Sequence, residues 1–115
     1  MLTIYHNPRC SKSRQALELL EARGLRPNVV KYLETPPDAA TLRNLLRALG
    51  IGARDLLRAG EDEYRDLGLR NPALDDEALI AAMVAHPRLI ERPIVVSGGR
   101  AVVGRPPEKV LELLK

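Results

Sequence analysis

The feature that most constrains the fold is a junction near the N-terminus. Leu2-Thr3-Ile4-Tyr5 is a short apolar run of strand character, and Gln15-Ala16-Leu17-Glu18-Leu19-Leu20-Glu21-Ala22-Arg23 carries helical spacing through Ala16, Leu17 and Leu20. The segment between them, His6-Asn7-Pro8-Arg9-Cys10-Ser11-Lys12-Ser13-Arg14, therefore turns a strand into a helix that starts near Ser11. Gly24 is a natural stop for that helix, and Pro27 leads into Asn28-Val29-Val30-Lys31-Tyr32-Leu33, whose β-branched residues predict a second strand. A strand–helix–strand unit of this length favours parallel pairing through a right-handed crossover, which commits the chain to an α/β architecture.

The junction also carries the only cysteine of the 115 residues. At a helix start, unpaired amide N–H groups and the positive end of the helix dipole both favour an anion, whether a thiolate or a docked oxyanion. Arg9, Lys12 and Arg14 add positive charge, and no acidic residue precedes Glu18. Such surroundings lower a thiol pKa from its free value of about 8.5 and so populate the nucleophilic form near neutrality. A lone cysteine is otherwise a small buried hydrophobe; the placement of Cys10 among Pro8, Arg9, Ser11 and Ser13 argues for a reactive one. Ser11 and Ser13 suit either of two roles, donors to an anion or helix caps.

Beyond Leu33, Thr35-Pro36-Pro37-Asp38 breaks the chain, with Thr35 or Pro37 next to a helix cap and Asp38 in the first turn. Leu42, Leu45, Leu46 and Leu49 mark the buried face of a second helix that Gly50 and Gly52 end. Short helical pieces follow at Arg54–Arg58 and Asp62–Leu67, then a longer one capped by Asp75 or Asp76 and stopped by His86-Pro87. Arg92-Pro93-Ile94-Val95-Val96 predicts a third strand opened by a proline, Gly98-Gly99 a hairpin turn, and Arg100-Ala101-Val102-Val103 its antiparallel partner. Gly104-Arg105-Pro106-Pro107 then introduces a last helix with Val110, Leu111 and Leu114 apolar. The order resembles the thioredoxin-like layout: one domain over residues 1–115, a four-stranded mixed sheet flanked by helices, with a helical insertion at about 38–86 between the second and third strands. Pro93 occupies the place where such folds carry a cis peptide, although a trans proline is equally compatible with a strand start.

Composition narrows the function. There is no Trp or Phe and only three Tyr, so aliphatic side chains must fill the core. The net charge of +3 is mild and the basic residues are scattered, which argues against nucleic-acid binding. No apolar run is long enough for a membrane span and residues 1–5 carry no basic leader, so no membrane association is expected. A single cysteine forms no internal disulfide, and a persistent thiol suits a reducing compartment, which points to the cytoplasm. With only two histidines and one cysteine, no metal site is expected.

The series Ile4-Tyr5-His6-Asn7-Pro8-Arg9-Cys10-Ser11-Lys12-Ser13-Arg14, Tyr32-Leu33-Glu34-Thr35-Pro36-Pro37, Arg54-Asp55-Leu56-Leu57-Arg58, His86-Pro87, Arg92-Pro93-Ile94-Val95-Val96 and Gly104-Arg105-Pro106-Pro107-Glu108 resembles the glutaredoxin- and glutathione-dependent arsenate reductase family, in order and over nearly the whole chain. The resemblance implies that Cys10 attacks arsenate to form a thiol–arsenate ester. It implies that Arg58, Arg92 and Arg105 surround the oxyanion, and that His6 stands near Cys10, where its charge would help depress the thiol pKa. It also implies glutathione as co-substrate, glutaredoxin as electron donor, and no bound cofactor. The chemistry is coherent, because planar guanidinium groups pair bidentately with oxyanions and offset the repulsion between an anionic nucleophile and an anionic substrate. Two alternatives remain: a glutathione-linked thiol–disulfide oxidoreductase cycling through a mixed disulfide, and a redox-responsive transcription regulator of the same superfamily. The regulators commonly use a Cys-x-x-Cys switch; Ser13 stands at its fourth position here.

Overall fold

The computed structural model describes residues 2–114 and falls into two compact units. One runs through Thr35 and resumes at Arg92; the other is Pro36–Glu91. The first contains the sheet. Its strands are β1 (Leu2–Tyr5), β2 (Asn28–Val30), β3 (Ile94–Ser97) and β4 (Arg100–Val103), in spatial order β2-β1-β3-β4. β1 and β2 pair parallel, while β1–β3 and β3–β4 pair antiparallel. This is the mixed four-stranded sheet of the thioredoxin-like layout.

Helix α1 (Ser11–Ala22) makes the crossover between β1 and β2. It ends in a Schellman arrangement, with Leu25 N–H donating to Leu20 O and Gly24 N–H to Glu21 O. Its buried Ala16 and Leu20 pack with Ile4 of β1, Val95 of β3, and Val110 and Leu113 from the C-terminal segment. That segment, Pro107–Leu114, is a 3-10 helix rather than the α-helix expected. Its buried residues, Pro107, Val110 and Leu113, recur every third position, as three residues per turn requires. Leu114, expected inside, is 38% exposed.

β2 is shorter than its apolar composition suggests. The chain leaves it at Lys31, whose carbonyl accepts from the N–H groups of both Glu34 and Thr35 and closes a turn, while Tyr32 buries its ring. The Gly98-Gly99 turn joins Ser97 to Arg100, with Gly98 at φ 61°, the positive value that mirror-image hairpin turns place at their first central residue.

The second unit is helical: α2 (Ala39–Leu49), α3 (Ala53–Leu56), α4 (Asp62–Asp66), α5 (Asp76–Ala85) and a 3-10 turn at Pro87–Leu89. Asp38 is the N-cap of α2 itself, its Oδ1 accepting from Thr41 N–H at 2.8 Å, and Asp75 caps α5 in the same way through Ala78 N–H. Leu42, Leu45 and Leu46 of α2 and Leu79, Ile80 and Met83 of α5 are buried, and the two helices pack together.

Candidate active site

Strand register brings the site together. Tyr5 pairs with Ile94, and Ile94 with Val103, so the end of β1, the start of β3 and the end of β4 lie at one end of the sheet. The residues just beyond those points are the cysteine loop, Arg92-Pro93 and Gly104-Arg105. Gly104 N–H donates to Pro93 O at 2.8 Å, and a Cβ at Gly104 would lie 2.8 Å from Pro93 Cγ and 3.1 Å from Val110 Cγ1. Only glycine permits that approach. The peptide bonds before Pro93 and Pro106 are both cis; the pattern around Pro106 gives no sign of the second.

The loop is braced at several points. His6 N–H donates to Val30 O, Cys10 N–H to Asn7 O, Arg9 N–H to Asn7 Oδ1, and Arg14 Nη1 to Pro8 O. Cys10 is then the N-cap residue of α1, in extended conformation (φ −93°, ψ 123°). Its sulfur lies against the first turn of the helix. Burial pushes the thiol pKa up, but the backbone N–H of Ser13, the Arg92 guanidinium through both a hydrogen bond and its charge, and the backbone N–H of Lys12 outweigh it, so the net shift is downward. Arg105 adds an Nη2 donor 3.6 Å from Sγ, and its Nε donates to Arg92 O at 2.8 Å. Cys10 is 8% exposed, yet its sulfur faces two guanidinium groups rather than aliphatic packing alone.

His6 departs from its expected role. Its Nδ1 is hydrogen-bonded to Ser13 Oγ at 2.6 Å, and Ser13 Oγ also accepts from Asn7 N–H. Burial, with Lys31 and Arg14 nearby, lowers the imidazole pKa against a weaker opposing pull from Glu21. The shift favours the neutral imidazole, and the groups that lower the Cys10 pKa are the Ser13 and Lys12 backbone N–H groups and the Arg92 guanidinium. Ser13, fully buried, orders the loop with its hydroxyl and supports the sulfur with its backbone N–H. Ser11 is exposed at the first helical position.

The sequence model of the ArsC family matches residues 5–113. The chain belongs to the ArsC family. Among relatives, the uncharacterised protein YfgD of Escherichia coli (strain K12) is 61% identical over 96% of this chain and 94% of its own. An arsenate reductase of Neisseria meningitidis is 53% identical over 98% and 97%. The solved structure of an arsenate reductase from Vibrio cholerae superposes with a TM-score of 0.94 at 54% identity, covering 96% of this chain and 95% of the other.

In this ArsC-family protein, Arg58 belongs to the helical unit, where its Nη1 lies 3.5 Å from Glu61 Oε2 and its Nε 3.5 Å from Glu91 Oε1. Cys10, Ser13, Arg92 and Arg105 are thus brought together within the sheet-bearing unit, and Arg58 is held by two carboxylates within its own. Asn7 and Arg14 shape the loop without standing out as site residues in the sequence; the Asn-Pro dipeptide is the turn signal that marks the first of them. Among the described residues, no group of three or more His, Cys, Asp or Glu side chains is placed to hold a metal ion, and no helix is long and apolar enough to cross a membrane.

Proposed function

We propose that the protein is an arsenate reductase in which Cys10 is the nucleophile and Arg92 and Arg105 bind the oxyanion. The observation that carries this reading is the pair of guanidinium groups at a single, pKa-depressed cysteine sulfur. Oxidised thiol partners alone would not call for two planar cations there, whereas a tetrahedral oxyanion carrying one to two negative charges would. The Cys10 thiolate attacks arsenic and an oxygen leaves as water, giving a thiol–arsenate ester; this is a condensation with no change of oxidation state. Arg92 and Arg105 stabilise the charge that accumulates on the arsenate oxygens as the S–As bond forms.

Reduction of arsenate to arsenite takes two electrons: arsenic acid and two thiols give arsenous acid, one disulfide and one water. Cys10 is the only cysteine, so the chain has no second thiol with which to close a disulfide. External thiols must supply the electrons, and we assign these to glutathione as co-substrate and glutaredoxin as the protein donor, in the reducing cytoplasm that keeps Cys10 free. No bound cofactor is required.

The test is arsenite production from arsenate with glutathione and glutaredoxin, run beside a glutathione-disulfide exchange assay. Arsenite production by the wild-type protein, abolished by Cys10→Ser, is expected. Disulfide exchange without arsenite production would instead assign the protein to thiol–disulfide chemistry.

A further inference from the structure

We propose that the cavity on the β2 side of the cysteine loop docks the thiol co-substrate, a short peptide thiol with two carboxylates and one ammonium; the proposal rests on the reductase reading above. The cavity has a volume of about 290 Å³, near the lower end for small-molecule sites, which suits a tripeptide-sized ligand. Its lining carries two cations, Arg9 and Lys31, one anion, Glu34, and an apolar wall from Pro8 and Leu33, the last 40% exposed.

That charge set is selective. Two cations match two carboxylates, and Glu34 matches a single ammonium. A simple oxyanion such as arsenate would gain from Arg9 and Lys31 but face repulsion from Glu34, so the cavity is complementary to a peptide zwitterion bearing one surplus negative charge. His6 also lines it. Its Nδ1 is taken by Ser13 Oγ, which leaves Nε2 for a ligand.

The position serves the reaction. His6, Asn7, Pro8 and Arg9 line the cavity, and Arg9 immediately precedes Cys10, so a ligand held there lies against the loop that carries the reacting sulfur. The oxyanion arginines, Arg92 and Arg105, come from the ends of β3 and β4 instead. Arsenate and the peptide thiol therefore meet different groups, and both can be present when the thiol gives up its proton and displaces a hydroxyl, as water, from the arsenic of the Cys10 ester.

The test is a Lys31→Glu substitution. Lys31 is exposed, so the change leaves the core intact. Arg23→Glu, the same charge reversal at the exposed C-terminal end of α1, serves as control. In steady-state arsenate reduction, Lys31→Glu is expected to raise the glutathione KM by about tenfold, equivalent to about 1.4 kcal/mol, while the arsenate KM stays within about twofold. Arg23→Glu should leave both unchanged.

An unchanged glutathione KM in Lys31→Glu, or an equal rise in both variants, overturns the assignment, as does a change confined to the glutaredoxin KM. Titration of wild-type protein with S-methylglutathione, whose sulfur is capped, separates this inference from the reductase reading. Amide shifts at Lys31, Leu33 and Glu34 that vanish in Lys31→Glu support the docking site even if no arsenite is formed. Absence of those shifts in a protein that does form arsenite defeats the docking site alone.

Discussion

Replacing Arg105 by Gln removes one guanidinium from the Cys10 sulfur, and the geometry sets the size of the effect. A unit charge pair at the observed 3.6 Å separation of Nη2 and Sγ interacts by about 4–5 kcal/mol at an effective dielectric of 20. Arg105 is half-buried, so water and salt screen part of that, and Arg92 still faces the sulfur after the substitution. A surviving loss of about 1.5–2 kcal/mol corresponds to roughly ten- to thirtyfold in the thiol–thiolate equilibrium. The assay is the rate of iodoacetamide alkylation as a function of pH, since only the thiolate reacts. Below the thiol pKa, Arg105→Gln should be alkylated roughly ten- to thirtyfold more slowly than wild type, with the two rates converging at high pH. Arg105→Lys keeps the charge and should lie within about threefold of wild type. Superimposable pH profiles for wild type and Arg105→Gln would refute the reasoning, because the Arg105 charge would then have no hold on the sulfur.

Gly104→Ala should lower stability by about 1–3 kcal/mol in urea unfolding, because its Cβ would press into Pro93 and Val110, both fully buried; an unchanged midpoint would mean that this contact relaxes at no cost. The depressed Cys10 pKa predicts a pH-dependent stability difference between wild type and Cys10→Ser under reducing conditions. A lowered acid pKa in the folded state stabilises the fold fully above the unfolded thiol value of about 8.5, and the contribution disappears as pH falls through the folded value. The wild-type advantage should therefore be larger at pH 9 than at about pH 5, and a constant difference would contradict a perturbed thiol.

Much of the fold is written in local patterns. The β1–α1 junction, the Gly24 stop and the Gly98-Gly99 hairpin are each decided by residues within a turn of one another, and the structure contains each of them. Features that depend on distant partners are less legible. The end of β2 at Val30 is set by a turn centred on the Lys31 carbonyl, although Tyr32 and Leu33 have strand-forming composition. In the C-terminal helix, Val110 and Leu111 fit either a 3.0 or a 3.6 residue period over eight residues, and only packing against α1 decides that Leu113 is buried and Leu114 is not.

The site divides in the same way. Cys10 at a helix start is a local feature. The approach of Arg105 to a sulfur 95 residues away depends on the β1–β3–β4 register, which no local motif encodes. The pairing of His6 with Ser13 belongs to the folded loop, and burial with nearby cations lowers the imidazole pKa, a property of that loop and not of the residue type.

The most direct test of the central claim watches the sulfur while arsenate binds. Thiolate ultraviolet absorbance, titrated without added thiol, should appear in wild type at a lower pH than in a free cysteine and be absent in Cys10→Ser, and at a pH where it is present arsenate should abolish it as the S–As bond forms. Intact-mass detection of the corresponding arsenic adduct on Cys10 completes the measurement. A thiolate signal that arsenate leaves unchanged, with no adduct formed, would contradict the account.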